Sequence, residues 1–407
     1  TLYSITREFD VTQEELLKAN PALAGGLQDG MVLHIPVKPK EVFIAKSKLT
    51  NRFNLNESKE IVLLLPFNIS KIKSDTTLSV QARLKRDNFL NLTLDFYAGA
   101  LMAIDSARKL QYPVHFKIFD SQENRSGSDI NGLIAAGNFK SADAVIGPFY
   151  PQHMGKVAKA VSSNVPIISP LREVTSSESN LLESMPSQDL MKSSMIDFLR
   201  TKNGRLIALI DTRRSSFRRY MEREYPEIFI APNAEKGGFI YDSISPKLSR
   251  TKTNYFLLET ASTGVIMSAL SQINQAKSQG YAVQLVLLEM NPTFETDEIF
   301  PRILRQKAMF PSLTNARDTQ ENLWFANAYK KRNNVFPNQY AMRGFDVTFD
   351  VIQRLIHEEG FFATISKYHS DQLDFKFDYQ QKPGGGYQNK GVYILYYDED
   401  FQVKTAE

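Results

Sequence analysis

The sequence predicts an α/β protein of two lobes, each a doubly wound parallel sheet, preceded by a small α+β unit. Three observations carry this. Short continuous apolar runs, Ile61 to Phe67 foremost, alternate with segments of helical spacing; strands buried on both faces and joined by crossover helices read in this way. A second series of the same kind starts at Leu206. The first 36 residues carry their own helix-start and helix-stop signals, set off by a Lys/Pro-rich and then polar stretch.

Composition narrows the function classes. A length of 407 residues suits two or three compact units of about 150 residues each. With 42% hydrophobic and 23% charged residues, disorder is excluded as the main state. Lys+Arg at 49 against Asp+Glu at 45 leave a balance of +4, too small to mark nucleic acid as a partner. No apolar run approaches the roughly 20 residues of a membrane helix, so no transmembrane segment is expected. Cysteine is absent, which removes disulfides, thiolate nucleophiles and Cys-ligated metals. The first residue is Thr1, so a piece carrying any targeting signal, lipid anchor or further module is expected to precede it.

In the opening unit, Leu2, Ile5 and Phe9 have helical spacing, and Thr12 with Glu15 forms a capping box for a second helix. Asn20-Pro21 stops that helix. After Gly25-Gly26 and Gly30, the alternation Val32 to Pro36 predicts a short closing strand. In this order, Thr1-Leu2-Tyr3-Ser4-Ile5, Asn20-Pro21, Leu27, Gly30 and Leu33-His34-Ile35-Pro36 resemble a LysM domain whose first strand lies before Thr1. The resemblance spans 1–37 and implies binding of N-acetylglucosamine-containing glycan, peptidoglycan above all. The groove would be formed by Thr1, Leu2 and Tyr3 on one loop and Asn20, Pro21, Ala22, Leu23, Gly26 and Leu27 on the other. Each of these apolar residues could equally fill the small core. Residues 38–59 read as a linker, with Val42-Phe43-Ile44 its apolar island.

From Ile61 onward, strand and helix signals alternate: Phe96 to Leu110 as helix, Val114 to Phe119 as strand, Ile130 to Phe139 as helix, Ala142 to Gly147 as strand. Met154 to Val161 (helix) and Val165 to Ser169 (strand) close the first series. The second runs through Leu206 to Asp211, Ile228 to Ile230, Tyr255 to Glu259 and Leu285 to Met290. Residues 60–407 resemble the type I periplasmic binding proteins of the leucine/isoleucine/valine-binding group. The resemblance rests on Asp95 to Ala100, Asp120-Ser121-Gln122, Asp143 to Pro148, Val165 to Pro170, Tyr329, Phe336-Pro337, Tyr340-Ala341, Gly344-Phe345-Asp346 and Gly391 to Ile394. It implies three crossings between lobes, with one lobe at 60–184 and 315–373 and the other at 185–314 and 374–407. The ligand site would be the cleft between them.

At that cleft the chain departs from the amino-acid receptors it resembles. Those keep small residues after the Gly-Pro and Ser-Pro turns, so that hydroxyls and amides at helix starts hold the ligand carboxylate. Here Phe149, Tyr150, Pro151 and Gln152 follow Gly147-Pro148, while Leu171, Arg172 and Glu173 follow Ser169-Pro170. Asp211 is followed by Thr212, Arg213, Arg214, Ser215 and Ser216. Arg172, Arg213 and Arg214 have three competing readings: bidentate holders of an anionic ligand, partners of acids such as Glu173 that lock the lobes, or solvated surface. Arg218 and Arg219 fit helix-surface pairs with Glu222 and Glu224.

No catalytic constellation emerges. His34, His115, His153, His357 and His369 have no metal-ligand spacing, Ser215-Ser216 lacks a nucleophile-elbow setting, and Gly384-Gly385-Gly386 precedes a strand, as a turn does. No cofactor and no metal are expected. The leading reading is a non-catalytic periplasmic protein with a place at the outer membrane. LysM would grip peptidoglycan, and the two-lobed body, its small-ligand site degenerate, would serve as a scaffold or regulator bound to an envelope protein partner. The outer-membrane lipoprotein activators of penicillin-binding synthases offer a fold-level analogy. The rival is a solute receptor that closes on a peptide, muropeptide or other anionic ligand. A glycan hydrolase would need a paired-carboxylate cleft that the sequence does not offer.

Overall fold

The apolar runs become strands. In the computed structural model, which describes residues 2, 5–6, 13–28, 31–35, 47–74, 77–171, 174, 176–235, 237–315 and 319–406, the chain divides into two units, Thr1–Ala45 and Lys46–Glu407. The larger begins with β1 (Ser47–Lys48), β2 (Lys59–Leu65), β3 (Val114–Asp120), β4 (Ala144–Ile146), β5 (Ile167–Ser169) and β6 (Leu181–Glu183). It continues with β7 (Arg205–Ile210), β8 (Phe229–Ile230), β9 (Asn254–Glu259), β10 (Val283–Leu287) and β11 (Met309–Ser312). The last strands are β12 (Tyr368–Asp371), β13 (Lys376–Phe377), β14 (Tyr379–Gln381), β15 (Tyr387–Asn389), β16 (Tyr393–Tyr397) and β17 (Val403–Thr405).

Two seven-stranded sheets result. The first runs β14-β15-β6-β5-β4-β2-β3 and is parallel except for the β14–β15 hairpin. The second runs β17-β16-β11-β10-β9-β7-β8, parallel from β11 to β8. In each, strand order reverses beside the first strand of the lobe, between β2 and β4 and between β7 and β9. In open α/β sheets ligands sit at the carboxyl ends of the strands at such switch points.

In the first lobe the helices Asn88–Lys109 and Gln339–Ile356 cross backbone to backbone. A Cβ on Gly99 would stand 1.8 Å from the Ala341 carbonyl oxygen, and one on Gly344 would stand 2.0 Å from that of Phe96. This close crossing fixes the placement of Tyr340 and Arg343 on the second helix. A fully buried Arg354 on the second helix donates through Nε to both oxygens of Asp350, at 2.9 and 3.0 Å, and reaches the Phe377 carbonyl at 3.3 Å. It thereby ties that helix to the small β1-β12-β13 sheet.

Two boundaries differ from the sequence reading. Residues 47–59 are not a free linker: β1 pairs with β12, the Asn54 amide donates to the Ile356 carbonyl, and that of Glu358 to Arg52. These are backbone bonds, which leave no side-chain signature. The last return to the second lobe comes after Asn389 instead of at 374, because β14 and β15 pair onto β6 of the first sheet.

In the N-terminal unit, the helix Gln13–Ala19 and the 3-10 turn Pro21–Gly25 pack Leu16 and Leu23 against Leu2, Ile5, Met31, Leu33 and Ile35. Asn20, placed in the glycan groove by the sequence reading, is spent internally. Its side chain accepts from the His34 amide and donates to the His34 carbonyl, both at 2.6 Å, and to Leu16 O at 2.9 Å. Leu23 is likewise a core residue. Pro21, Ala22, Gly26 and Leu27 are exposed, and Leu2 is half-buried in the core. Thr1, Tyr3, Thr12 and Pro36 lie outside the described residues. Residues 31–35 alternate inward and outward as predicted yet pair with no strand among the described residues.

Candidate functional site

At the first switch point the chain supplies its own anion. Glu123, on the loop after β3, accepts from the Phe149 amide at 2.8 Å and the Tyr150 amide at 3.1 Å, and the Ser121 hydroxyl donates to it at 3.1 Å. The carboxylate sits at the start of the helix Pro151–Ala160, where amide donors and the helix dipole favour negative charge. It is 1% exposed, and burial pushes its pKa up to about 7 against those three hydrogen bonds. The amides that could hold a ligand carboxylate here are taken. Phe149 fills the space above them, edge-on to Phe96 at 5.1 Å, while Gln152 donates to the Arg125 carbonyl at 2.8 Å.

Beside this turn lies a pocket of about 330 Å³, lined by Phe89, Leu92, Arg125, Phe149, Tyr150, Leu171, Tyr340 and Arg343, all from the first lobe. Arg125 is exposed on the loop after β3. Arg343 is different. Its side chain is half-buried, its Nε–H is buried with no acceptor, and no carboxylate acts on it among the described residues. Its neighbours are aromatic, with the guanidinium 5.3 Å from the Phe375 ring and 5.8 Å from that of Tyr340. Burial lowers its pKa to about 10, a direction the Tyr340 hydroxyl opposes, so it is charged at neutral pH.

The second switch point is also charged but neutralised within its own lobe. Asp211, at the end of β7, takes Arg213 through Nε at 3.2 Å and Nη2 at 2.8 Å, and accepts from Thr260 at 2.7 Å. Arg213 holds its carboxyl well below the usual range. Glu259, at the end of β9, pairs with Lys192 at 2.8 Å and with Arg214 at 3.5 Å, and Lys192 also reaches Glu289 at 3.0 Å. Three acids face three cations. Of the three readings of Arg213 and Arg214, pairing with acids is what the structure shows, with partners in the same lobe. Arg172 and Glu173 lie outside the described residues. Ser169 is fully buried, and its carbonyl accepts from the Ser184 hydroxyl at 2.7 Å. Arg218 bonds Asn233 at 2.8 Å, not Glu222, because helix Ser215–Glu224 turns it toward the β7 end.

Glu123 and Arg343 were both missed by the sequence reading. Glu123 follows the strand-end motif Asp120-Ser121-Gln122 by one residue. Arg343 stands inside the matched segment, as the one cation among Ala341, Met342, Gly344 and Phe345. A charge in so apolar and small-residue a stretch was the available signal. No helix among the described residues is long and apolar enough to cross a membrane.

No family model and no curated protein matches this chain. Solved structures do. A protein assigned to branched-chain amino acid ABC transport from Rhodospirillum rubrum aligns at a TM-score of 0.55 and 12% identity, over 86% of this chain and 100% of that one. A Rhodopseudomonas palustris ABC-type branched-chain amino acid transporter gives 0.48 at 13%, over 85% of this chain and 94% of that one. A Desulfitobacterium hafniense ABC transporter substrate-binding protein in complex with Leu gives 0.43 at 14%, over 86% and 100%. At such identities likeness speaks of fold alone, and by the Rhodospirillum rubrum match and its two switch-point sheets the large unit has the two-lobed type I periplasmic-binding-protein fold.

Proposed function

We propose that this protein is a periplasmic solute receptor whose two lobes close on an anionic ligand, while the N-terminal unit holds it to peptidoglycan. The observation that carries the receptor reading is Arg343, a half-buried guanidinium whose Nε–H has no acceptor, in a pocket at the carboxyl edge of the first sheet. A buried donor left without an acceptor is costly, and a ligand anion would relieve that cost. The branched-chain amino acid assignment of the Rhodospirillum rubrum structure supports a receptor role, though Glu123 occupies the amides that a free amino acid would need. The reading involves binding only, with no catalytic step.

A melting scan with a panel of short peptides, muropeptides, carboxylic acids and free amino acids tests it. A true ligand at a hundredfold excess over Kd stabilises by about 2.7 kcal/mol. Anionic solutes should raise the melting temperature and free leucine should not; a rise with leucine alone would contradict the anion reading. The scaffold reading is second, and the filling of the cleft by Phe149 and Glu123 favours it. It gains if no solute shifts the transition and a membrane protein co-purifies.

The LysM reading rests on the sequence pattern and on the exposure of Pro21, Ala22, Gly26 and Leu27. The full chain should co-sediment with purified peptidoglycan and a truncation starting at Lys46 should not. Equal sedimentation of both would remove the glycan role from this unit.

A further inference from the structure

Resting on the receptor reading, we propose that the first-lobe pocket is a site for an aromatic carboxylic acid without an amino group, its carboxylate held by Arg343 and flanked by Arg125. Four features converge on this class. A guanidinium offers a planar fork that pairs bidentately with a carboxylate, and the buried Nε–H of Arg343 has no acceptor. Half of the lining residues are aromatic, Phe89, Phe149, Tyr150 and Tyr340, with Phe89 and Tyr150 at 5.0 Å between ring centres. Aromatic rings favour offset or edge contacts with a further ring. A volume of about 330 Å³ is at the small end of ligand sites, enough for one ring and a short acid arm but not for a muropeptide.

The fourth feature excludes amino acids. Among the described residues two arginines and no carboxylate line the pocket. Glu123, beside the same turn, has both oxygens committed to the Phe149 and Tyr150 amides. An α-ammonium group would enter a pocket with two arginines and no carboxylate among its described lining residues to pair with it. The carboxylate place used by Glu123 and the one offered by Arg343 are therefore distinct: the first is filled by the chain, the second is open.

Isothermal titration of the full chain with phenylacetate, phenylacetamide and phenylalanine tests the assignment. Phenylacetate should bind, with the amide and the amino acid at least tenfold weaker. Arg343→Met should lose at least tenfold in phenylacetate affinity, while Glu123→Gln keeps it. Removing a half-buried cation whose Nε–H lacks an acceptor should leave the ligand-free Arg343→Met protein melting no lower than wild type, an outcome that a merely structural arginine would not give. Absence of phenylacetate binding, or affinity unchanged in Arg343→Met, overturns the proposal. If another solute still raises the melting temperature, the receptor reading stands without it; if no solute of any class does, the receptor reading falls.

Discussion

Alanine at position 344 is expected to destabilise the large unit by about 3 kcal/mol, near the upper end for overpacking in a tight core. The reason is geometric. A Cβ at Gly344 would lie 2.0 Å from the Phe96 carbonyl oxygen, and one at Gly99 would lie 1.8 Å from that of Ala341. Both obstacles are backbone atoms in long helices, so neither can swing aside as a side chain would, and the helices must separate. Urea unfolding of Gly344→Ala, Gly99→Ala and Gly264→Ala checks this. Nothing lies within 4 Å of a Cβ at Gly264, in the separate helix Thr263–Ser278, so alanine there should be neutral or stabilising by up to about 1 kcal/mol. Wild-type stability in Gly344→Ala would show that the helices do not cross this closely. Because Arg343 adjoins the crossing, loosening it should also weaken any ligand bound there.

The other large effect is expected at Arg354. Its side chain is wholly buried and bonded to Asp350 and to the Phe377 carbonyl, and the Ser370 hydroxyl donates to the same Asp350. Arg354→Met removes the only cation facing Asp350 among the described residues, leaving an uncompensated buried carboxylate. Losing one partner of a buried pair costs about 3–5 kcal/mol, whereas replacing both with apolar residues of similar volume is often neutral. Arg354→Met should therefore unfold at markedly lower urea, and Asp350→Leu combined with Arg354→Met should recover most of the loss. A single replacement costing under about 1 kcal/mol would contradict this account of the network.

How far the sequence revealed these features depended on whether their physics was local. Ile61 to Leu65, Leu206 to Ile210 and Leu285 to Leu287 are strands because each is apolar on both faces, which is visible along the chain. The triplet Gly384 to Gly386 was legible as a turn, and Gly385 and Gly386 have φ of +100° and +71° there. The β14–β15 hairpin around it was assigned to the wrong lobe, since Tyr379–Gln381 and Tyr387–Asn389 are short and polar and their sheet is chosen by pairing with β6. Periodicity reads a lone charge in a helix as solvent-facing, so Arg343 passed unnoticed. Glu123 was hidden for another reason: its partners are amides 26 and 27 residues away, and a backbone donor leaves no mark in the sequence. Arg213 and Arg214 were legible as charges at the second lobe's edge, and Asp211 stands two residues before Arg213, while the identity of Arg214's acid, Glu259, needed the register of β7 against β9.

The central claim, that the lobes close on an anion held from the first lobe, is tested most directly by small-angle X-ray scattering of the full chain. The solute giving the largest rise in melting temperature is added to wild type and to Arg343→Met at one concentration. The account predicts a smaller radius of gyration for wild type on addition and no change for Arg343→Met. A solute that binds wild type with no compaction, or that compacts both proteins alike, would contradict it.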